Sequence, residues 1–195
     1  MNEKALKKKQ LIIKKAREVF AEKGFRKVTM KDIVDACEIS RGGLYLYFDS
    51  VEKVFLEVLS DEKSKVDPEI SLRLPENPDS TDMLSLYFYE QKKDILGDEK
   101  SLLTAVYEYS FEKKADNSET TLIEEQVLSS LSFLTDILTK GSKKGEIKCE
   151  KPQETALNII YALEGMKILS RCMQISEDRI NEELVFLMSG LLPKQ

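Results

Sequence analysis

Apolar residues recur every three or four positions along almost the whole chain, and no stretch sustains the strict alternation of a half-buried strand. The spacing predicts a first helix over residues 9–23, with Ile12, Ile13, Ala16, Val19 and Phe20 on one face. Gly24 follows where a left-handed cap is wanted. Phe25, one residue beyond, is placed to pack back on Phe20 in a Schellman contact. Thr29 caps a short second helix that buries Ile33, Val34 and Cys37; Asp32, three residues on, completes a capping box where Glu or Gln is commoner. After a break at Glu38, Ser40 caps a short third helix with Leu44, Tyr45 and Phe48. Ser50 caps a fourth, with Val54, Phe55, Val58 and Leu59 on its apolar side.

Residues 61–80 differ in kind. They are polar, hold Pro68, Pro75 and Pro78, and mark a connection between an N-terminal domain, 1–60, and a larger one, 61–195. Five further helices are expected near 82–96, 99–114, 118–141, 153–173 and 177–192, separated at Gly97, at Ala115 to Asn117, at Gly141 to Gly145 and at Gln174 to Ser176. The expected fold is therefore all-α, with about nine helices.

Composition narrows the class. Of 195 residues 42% are hydrophobic and 33% charged, a balance suited to a folded, soluble chain. No apolar stretch approaches the roughly 20 residues that span a bilayer, and Leu11-Ile12-Ile13 is far short of a signal-peptide core. A cytoplasmic protein without a membrane partner is expected. Cys37, Cys149 and Cys172 are an odd number in no metal-binding spacing, as in a reducing compartment. There is no histidine, which removes His triads, His metal ligands and the commonest general base. Neither a metal nor a cofactor is expected. A helical enzyme would have to rely on carboxylates such as Glu124, Glu125 and Glu164; no arrangement among them favours that over a non-enzymatic role.

The net charge of −5 is unevenly spread. Residues 1–59 carry 13 basic and 9 acidic side chains, and the remainder 17 and 26, giving a basic head on an acidic body. Such a head suits a polyanion, although so small an excess also fits an ordinary solvated surface. Lys4, Lys7, Lys8 and Lys9 cluster at the start of the first helix, against its dipole, where a phosphate backbone or plain solvent would accommodate them.

The segment Thr29 to Phe48 packs a capped helix, a tight turn and a second capped helix into about twenty residues. A helix-turn-helix has this economy, its first helix bracing the second in the major groove. Thr29 and Ser40 place hydroxyls at helix starts, where phosphate is favoured. Arg41 opens the recognition helix, where a guanidinium can take guanine O6 and N7 bidentately. Gly42 and Gly43 each cost a short helix about 1 kcal/mol relative to alanine, which close backbone approach to DNA would justify. Tyr45 and Tyr47 offer hydroxyls to phosphate oxygens.

These residues carry a family resemblance. Ala16, Phe20, Gly24-Phe25, Thr29, Ile33, Ile39-Ser40, Gly43-Leu44-Tyr45 and Tyr47-Phe48, then Ser50 and Glu52, resemble the DNA-binding domain of TetR-type repressors over roughly fifty positions. The rest of the chain is similar to that family only in helix number and length. The resemblance implies a homodimer on a palindromic double-stranded DNA operator, released when a small hydrophobic or amphipathic effector enters the larger domain. It places Thr29, Lys31, Ser40, Arg41, Gly43, Tyr45 and Tyr47 at the DNA, with Leu44 and Phe48 in the core. Two positions depart from the family pattern. Glu38 stands where the turn usually has glycine, and so is expected to bear left-handed strain. Val51 stands where a phosphate-binding lysine is common, with Lys53 from the next turn as its substitute.

In the larger domain the resemblance implies that the last two helices pair with those of a second subunit, with Leu157, Ile160, Ile168, Leu184, Leu187, Met188 and Leu191 at the dimer interface. The same stripes also suit burial within one subunit. Tyr87, Tyr107, Phe111, Phe133 and Tyr161 are either core or the lining of an effector pocket. The acidic body would favour a cationic, greasy effector. An alternative is a module of the same fold that binds protein, or a small molecule as an enzyme, and has lost its operator.

Overall fold

Side-chain caps and apolar periodicity set the helices close to where the sequence predicts them, although the first starts at Glu3 and not at residue 9. The computed structural model describes residues 3–64, 73–97, 101–115 and 122–192. Among these residues nine helices are found: α1 (Glu3–Lys23), α2 (Met30–Cys37), α3 (Arg41–Tyr45), α4 (Val51–Ser64), α5 (Ser80–Leu96), α6 (Leu103–Ala115), α7 (Leu122–Lys144), α8 (Pro152–Cys172) and α9 (Glu177–Ser189). The described residues contain no strand, and no described helix is long and apolar enough to cross a membrane.

The chain divides into two compact units, one formed by residues 1–66 and 98–121, the other by 67–97 and 122–195. From sequence, α6 falls in the second domain; in the structure it packs into the first unit, against α1. The reason is aromatic. Phe55 lies 4.8 Å from Phe20 and 5.0 Å from Phe25, and Tyr109 of α6 completes the cluster, edge-on to Phe25 at 4.9 Å and 5.4 Å from Phe55. Such contacts add about 0.5–1.5 kcal/mol each to the burial of the rings. The rest of this core is aliphatic: Ile12, Ala16, Ile33, Leu44, Val54 and Val58 have no exposed surface.

Polar contacts orient α6 on that cluster. The Tyr109 hydroxyl donates to Glu52 at 2.8 Å, and Lys113 pairs with the same carboxylate at 2.6 Å. Lys113 and the hydroxyl together hold the Glu52 carboxyl below its ordinary range, while burial and the nearby carboxylate push the Tyr109 phenol up. Glu108 secures the turn that follows α1. Its carboxylate accepts from the backbone N–H groups of Phe25, at 2.7 Å, and Arg26, at 3.0 Å. This replaces the predicted Schellman motif. Gly24 does adopt the left-handed conformation, φ 76°, and Phe25 does stack on Phe20, but the only turn closure is the Gly24 N–H to Phe20 carbonyl bond of the simpler cap. The Phe25 N–H, which a Schellman motif would turn back on α1, is taken by Glu108.

In the second unit α5, α7, α8 and α9 bury Leu84, Phe88, Ile95, Leu134, Leu138, Ile159, Leu163 and Ile180 in one core. Asp79 caps α5 with Asp82 in a reciprocal capping box, and Pro152 opens α8, where its missing N–H is harmless. Lys167 of α8 is the exception to the apolar rule. Its side chain is 1% exposed, and its ammonium reaches Glu164 at 2.8 Å and Asp94 at 3.8 Å, so the buried charge is partnered.

The α2–α3 turn carries the strain that its sequence implies. Glu38 has φ 52° and ψ 41°, and its N–H closes on Asp35 and Val34. A β-carbon in this conformation costs about 1–2 kcal/mol. Part of that returns when glycine's greater unfolded-state freedom is counted. Glu38→Gly is expected to raise unfolding stability by about 0.5–1 kcal/mol, seen as a higher urea midpoint with an unchanged slope.

Candidate nucleic-acid interface

A short second helix and a shorter third one form the candidate site, and local hydrogen bonds decide where each begins. Thr29 Oγ1 accepts from the Asp32 N–H at 3.2 Å, and the Asp32 carboxylate accepts from the Thr29 N–H at 2.8 Å and from its hydroxyl. The Lys23 ammonium, 2.6 Å away, is the largest of the influences that hold the Asp32 carboxyl far below its ordinary range. Ser40 Oγ accepts from the Gly43 N–H at 3.1 Å and so fixes the first turn of α3. Leu44 and Phe48 are buried, as expected, and anchor α3 against the core.

That anchoring turns Arg41, Gly42, Tyr45 and Leu46 outward. Arg41 is exposed, its guanidinium 5.4 Å from the centre of the Tyr45 ring, so the two form one stacked, charged edge. A shallow concavity between α2 and α3 is lined by Thr29, Met30, Lys31, Val34, Asp35 and Arg41. Gly42 faces open space. Tyr47 is half-buried, and Ser40 is exposed with its own proton free to donate outward.

Four expected DNA-facing residues sit differently from the sequence picture. Thr29 is exposed, but its hydroxyl proton is engaged by Asp32, leaving it no donor for a phosphate while the cap is closed. Gly43 is buried, and a β-carbon there would meet Ser40 Oγ at 3.1 Å, so a side chain at this position would crowd the cap of α3. Lys31 and Lys53 are exposed but carry carboxylate partners one turn away, Asp35 at 2.7 Å and Asp49 at 2.6 Å.

Leu46 was missed by the sequence pattern. It is 81% exposed, directly after α3. The signal was available, since an apolar side chain between Tyr45 and Tyr47 cannot share the face of Leu44 and Phe48.

The residues assigned to the larger domain separate. Ile160, Leu184 and Leu191 are buried in their own unit's core, against which Leu187 and Met188 also pack; Leu157 is half-buried and Ile168 exposed. The apolar side chains that α8 and α9 leave exposed are Tyr161, Ile168, Leu169, Met173, Val185 and Phe186, the last 74% exposed. Helical periodicity alone could not say which of two stripes on each helix turns inward. The five pocket candidates fall in two units. Tyr87 meets Phe133 at 5.9 Å in the second, Tyr107 stacks on Phe111 at 6.3 Å in the first, and Tyr161 stands 66% exposed on α8. No group of His, Cys, Asp and Glu able to hold a metal ion occurs among the described residues.

Comparison with known proteins agrees with this geometry. Residues 12–58 match the model of bacterial regulatory proteins of the tetR family, and residues 83–181 match a tetracyclin repressor-like C-terminal domain. A relative in Bacillus subtilis (strain 168), the uncharacterized HTH-type transcriptional regulator YfiR, is 28% identical over 148 residues, which cover 74% of this chain and 70% of that protein. The HTH-type transcriptional regulator QacR of Staphylococcus aureus is 40% identical over 57 residues, 29% of this chain and 30% of QacR. In fold, the chain is similar to a putative transcriptional regulator from Saccharomonospora viridis solved in complex with choline, with a TM-score of 0.77 at 18% identity, covering 97% of this chain and 100% of that one. With the exposed helix-turn-helix edge and both domain matches in place, the chain belongs to the tetR family of bacterial regulatory proteins, transcriptional repressors that bind DNA through a helix-turn-helix.

Proposed function

We propose that this protein represses transcription by holding a palindromic operator as a homodimer and lets go when a small hydrophobic or amphipathic molecule binds its C-terminal domain. The observation that carries the reading is the Arg41–Tyr45 edge, exposed at the start of a recognition helix whose opposite face is locked by Leu44 and Phe48. Arg41 reads guanine through its guanidinium. Leu46 supplies an apolar contact for a thymine methyl group, a role its exposure suits and a phosphate neighbour would not. Gly42, with open space around it, lets the backbone approach the groove.

Dimerisation is assigned to the exposed stripe of α8 and α9. Family membership supports the assignment, and so does the energetics: six large apolar side chains left in water on two consecutive helices and the residue that follows the first of them form the kind of surface that a second copy covers. Two copies would set their recognition helices about 34–36 Å apart, one turn of B-DNA. Effector release rests on the C-terminal domain match and on the choline complex of the structural neighbour. The Tyr87–Phe133 contact is the proposed aromatic wall of that site. A ligand acts there only by preferring one of two spacings of the recognition helices.

Selection of genomic fragments by the purified protein at physiological salt tests the core of this reading, with a recovered palindrome as the expected result. Failure to enrich any sequence at low or physiological salt would overturn it in favour of an interaction module. On the recovered site, Arg41→Ala is expected to weaken binding by about tenfold or more for each half-site, with fold and dimer retained. Replacing single thymines by deoxyuridine is expected to weaken wild type about threefold to fourfold at one position per half-site, the worth of one methyl group, and to leave Leu46→Ala indifferent. Phe186→Asp is expected to shift the protein to monomer in sedimentation and to abolish operator binding without unfolding either unit.

A further inference from the structure

The lysines at the start of α1 are not equivalent. Lys7 pairs with Glu3 at 2.7 Å on an exposed helical turn. Lys9 pairs with Glu57 and lies 5.7 Å from the centre of the Phe48 ring, so it is part of the packing between α1 and α4. Lys8 has neither arrangement. It is half-buried, and among the described residues no carboxylate pairs with it. Its ammonium lies beside the recognition helix, 3.5 Å from where a β-carbon on Gly43 would stand; Ser40 Oγ is 3.1 Å from the same point.

A half-buried lysine whose ammonium has no carboxylate partner among the described residues keeps its charge available to an incoming anion. Two lysines either side of it in sequence have found intramolecular carboxylates, and this one has not. What surrounds it instead is donor chemistry. The Ser40 hydroxyl has accepted its hydrogen bond from Gly43 and keeps its proton, so ammonium and hydroxyl both offer protons to one incoming anion. Both stand at the edge of the helix that Arg41 opens.

We propose that Lys8 is an operator-backbone contact: it clamps one DNA phosphate per half-site together with the Ser40 hydroxyl. The inference rests on the operator-binding reading above and adds to it a residue outside the helix-turn-helix. In this role Lys8 carries no sequence information. It sets register and affinity, and the base edges are read by its neighbours.

The test is the salt dependence of the full-length protein on its recovered operator duplex, measured by fluorescence anisotropy for wild type, Lys8→Gln, Lys8→Arg and Lys7→Gln. Each lost phosphate contact lowers the slope of log K against log salt by about 0.9, so Lys8→Gln is expected to be shallower by about 1.8 for the dimer. Its preference for operator over scrambled duplex should be unchanged. Lys8→Arg should restore the slope, and Lys7→Gln should match wild type. Ethylation interference gives an independent readout: one phosphate per half-site should block wild type when ethylated and interfere much less with Lys8→Gln, which keeps only the Ser40 contact there. A wild-type slope and footprint in Lys8→Gln, with the operator still bound, would overturn the assignment and leave the repressor reading intact. Absence of any operator binding by wild type would overturn both.

Discussion

A five-residue helix makes too few backbone bonds to persist by itself, and α3 is that short. Everything that the interface does therefore depends on how α3 is held from outside. Leu44 is fully buried and Phe48 nearly so, which fixes the rotation of the helix about its axis. Ser40 fixes its start. The left-handed residue Glu38 fixes the angle at which it leaves α2, at a cost that the core must outweigh. Arg41 and Leu46 point outward because these three constraints leave them no other direction.

The hold on α3 extends backwards through the unit. Ile33 of α2 and Phe20 of α1 are fully buried in the core that receives Leu44, and Phe20 belongs to the aromatic cluster that Tyr109 closes. Glu108 then secures the corner at Gly24–Arg26, so the turn entering α2 is tied to a residue more than eighty positions away. The DNA-binding unit is thus not a contiguous piece of chain. It is completed by a helix that belongs, in sequence order, to the part expected to sense ligand.

Local chemistry made much of this legible in advance. The Thr29–Asp32 box, the Ser40 cap and the left-handed Gly24 all act within three residues, and each sits as its spacing implies. Leu44 and Phe48 were set apart from Tyr45 by the family resemblance, and both are buried while Tyr45 is exposed. What stayed hidden depends on distance along the chain or on a choice between equal faces. No pattern near Phe25 announces that its N–H will be taken by Glu108 instead of by α1. Nothing in the stripes of α8 and α9 marks Ile160 and Leu184 as inward and Tyr161 and Phe186 as outward, since both sets recur at helical spacing. Lys8 is distinguished from Lys7 and Lys9 only once Glu3 and Glu57 have taken their partners.

Those carboxylate partners have a consequence of their own. Lys31 and Lys53, which the family resemblance sets at the DNA, are paired with Asp35 and Asp49, counterions built into the fold. A phosphate must displace these carboxylates before it gains the lysine's charge, so the two lysines add less to indiscriminate attraction for any duplex than unpaired ones would. A bacterial chromosome offers millions of competing sites, and a regulator that clings to all of them spends its time on the wrong ones. Under the proposed function, a charge masked in this way shortens each mistaken stop, and occupancy at the right site comes to depend on the few groups that can tell one sequence from another.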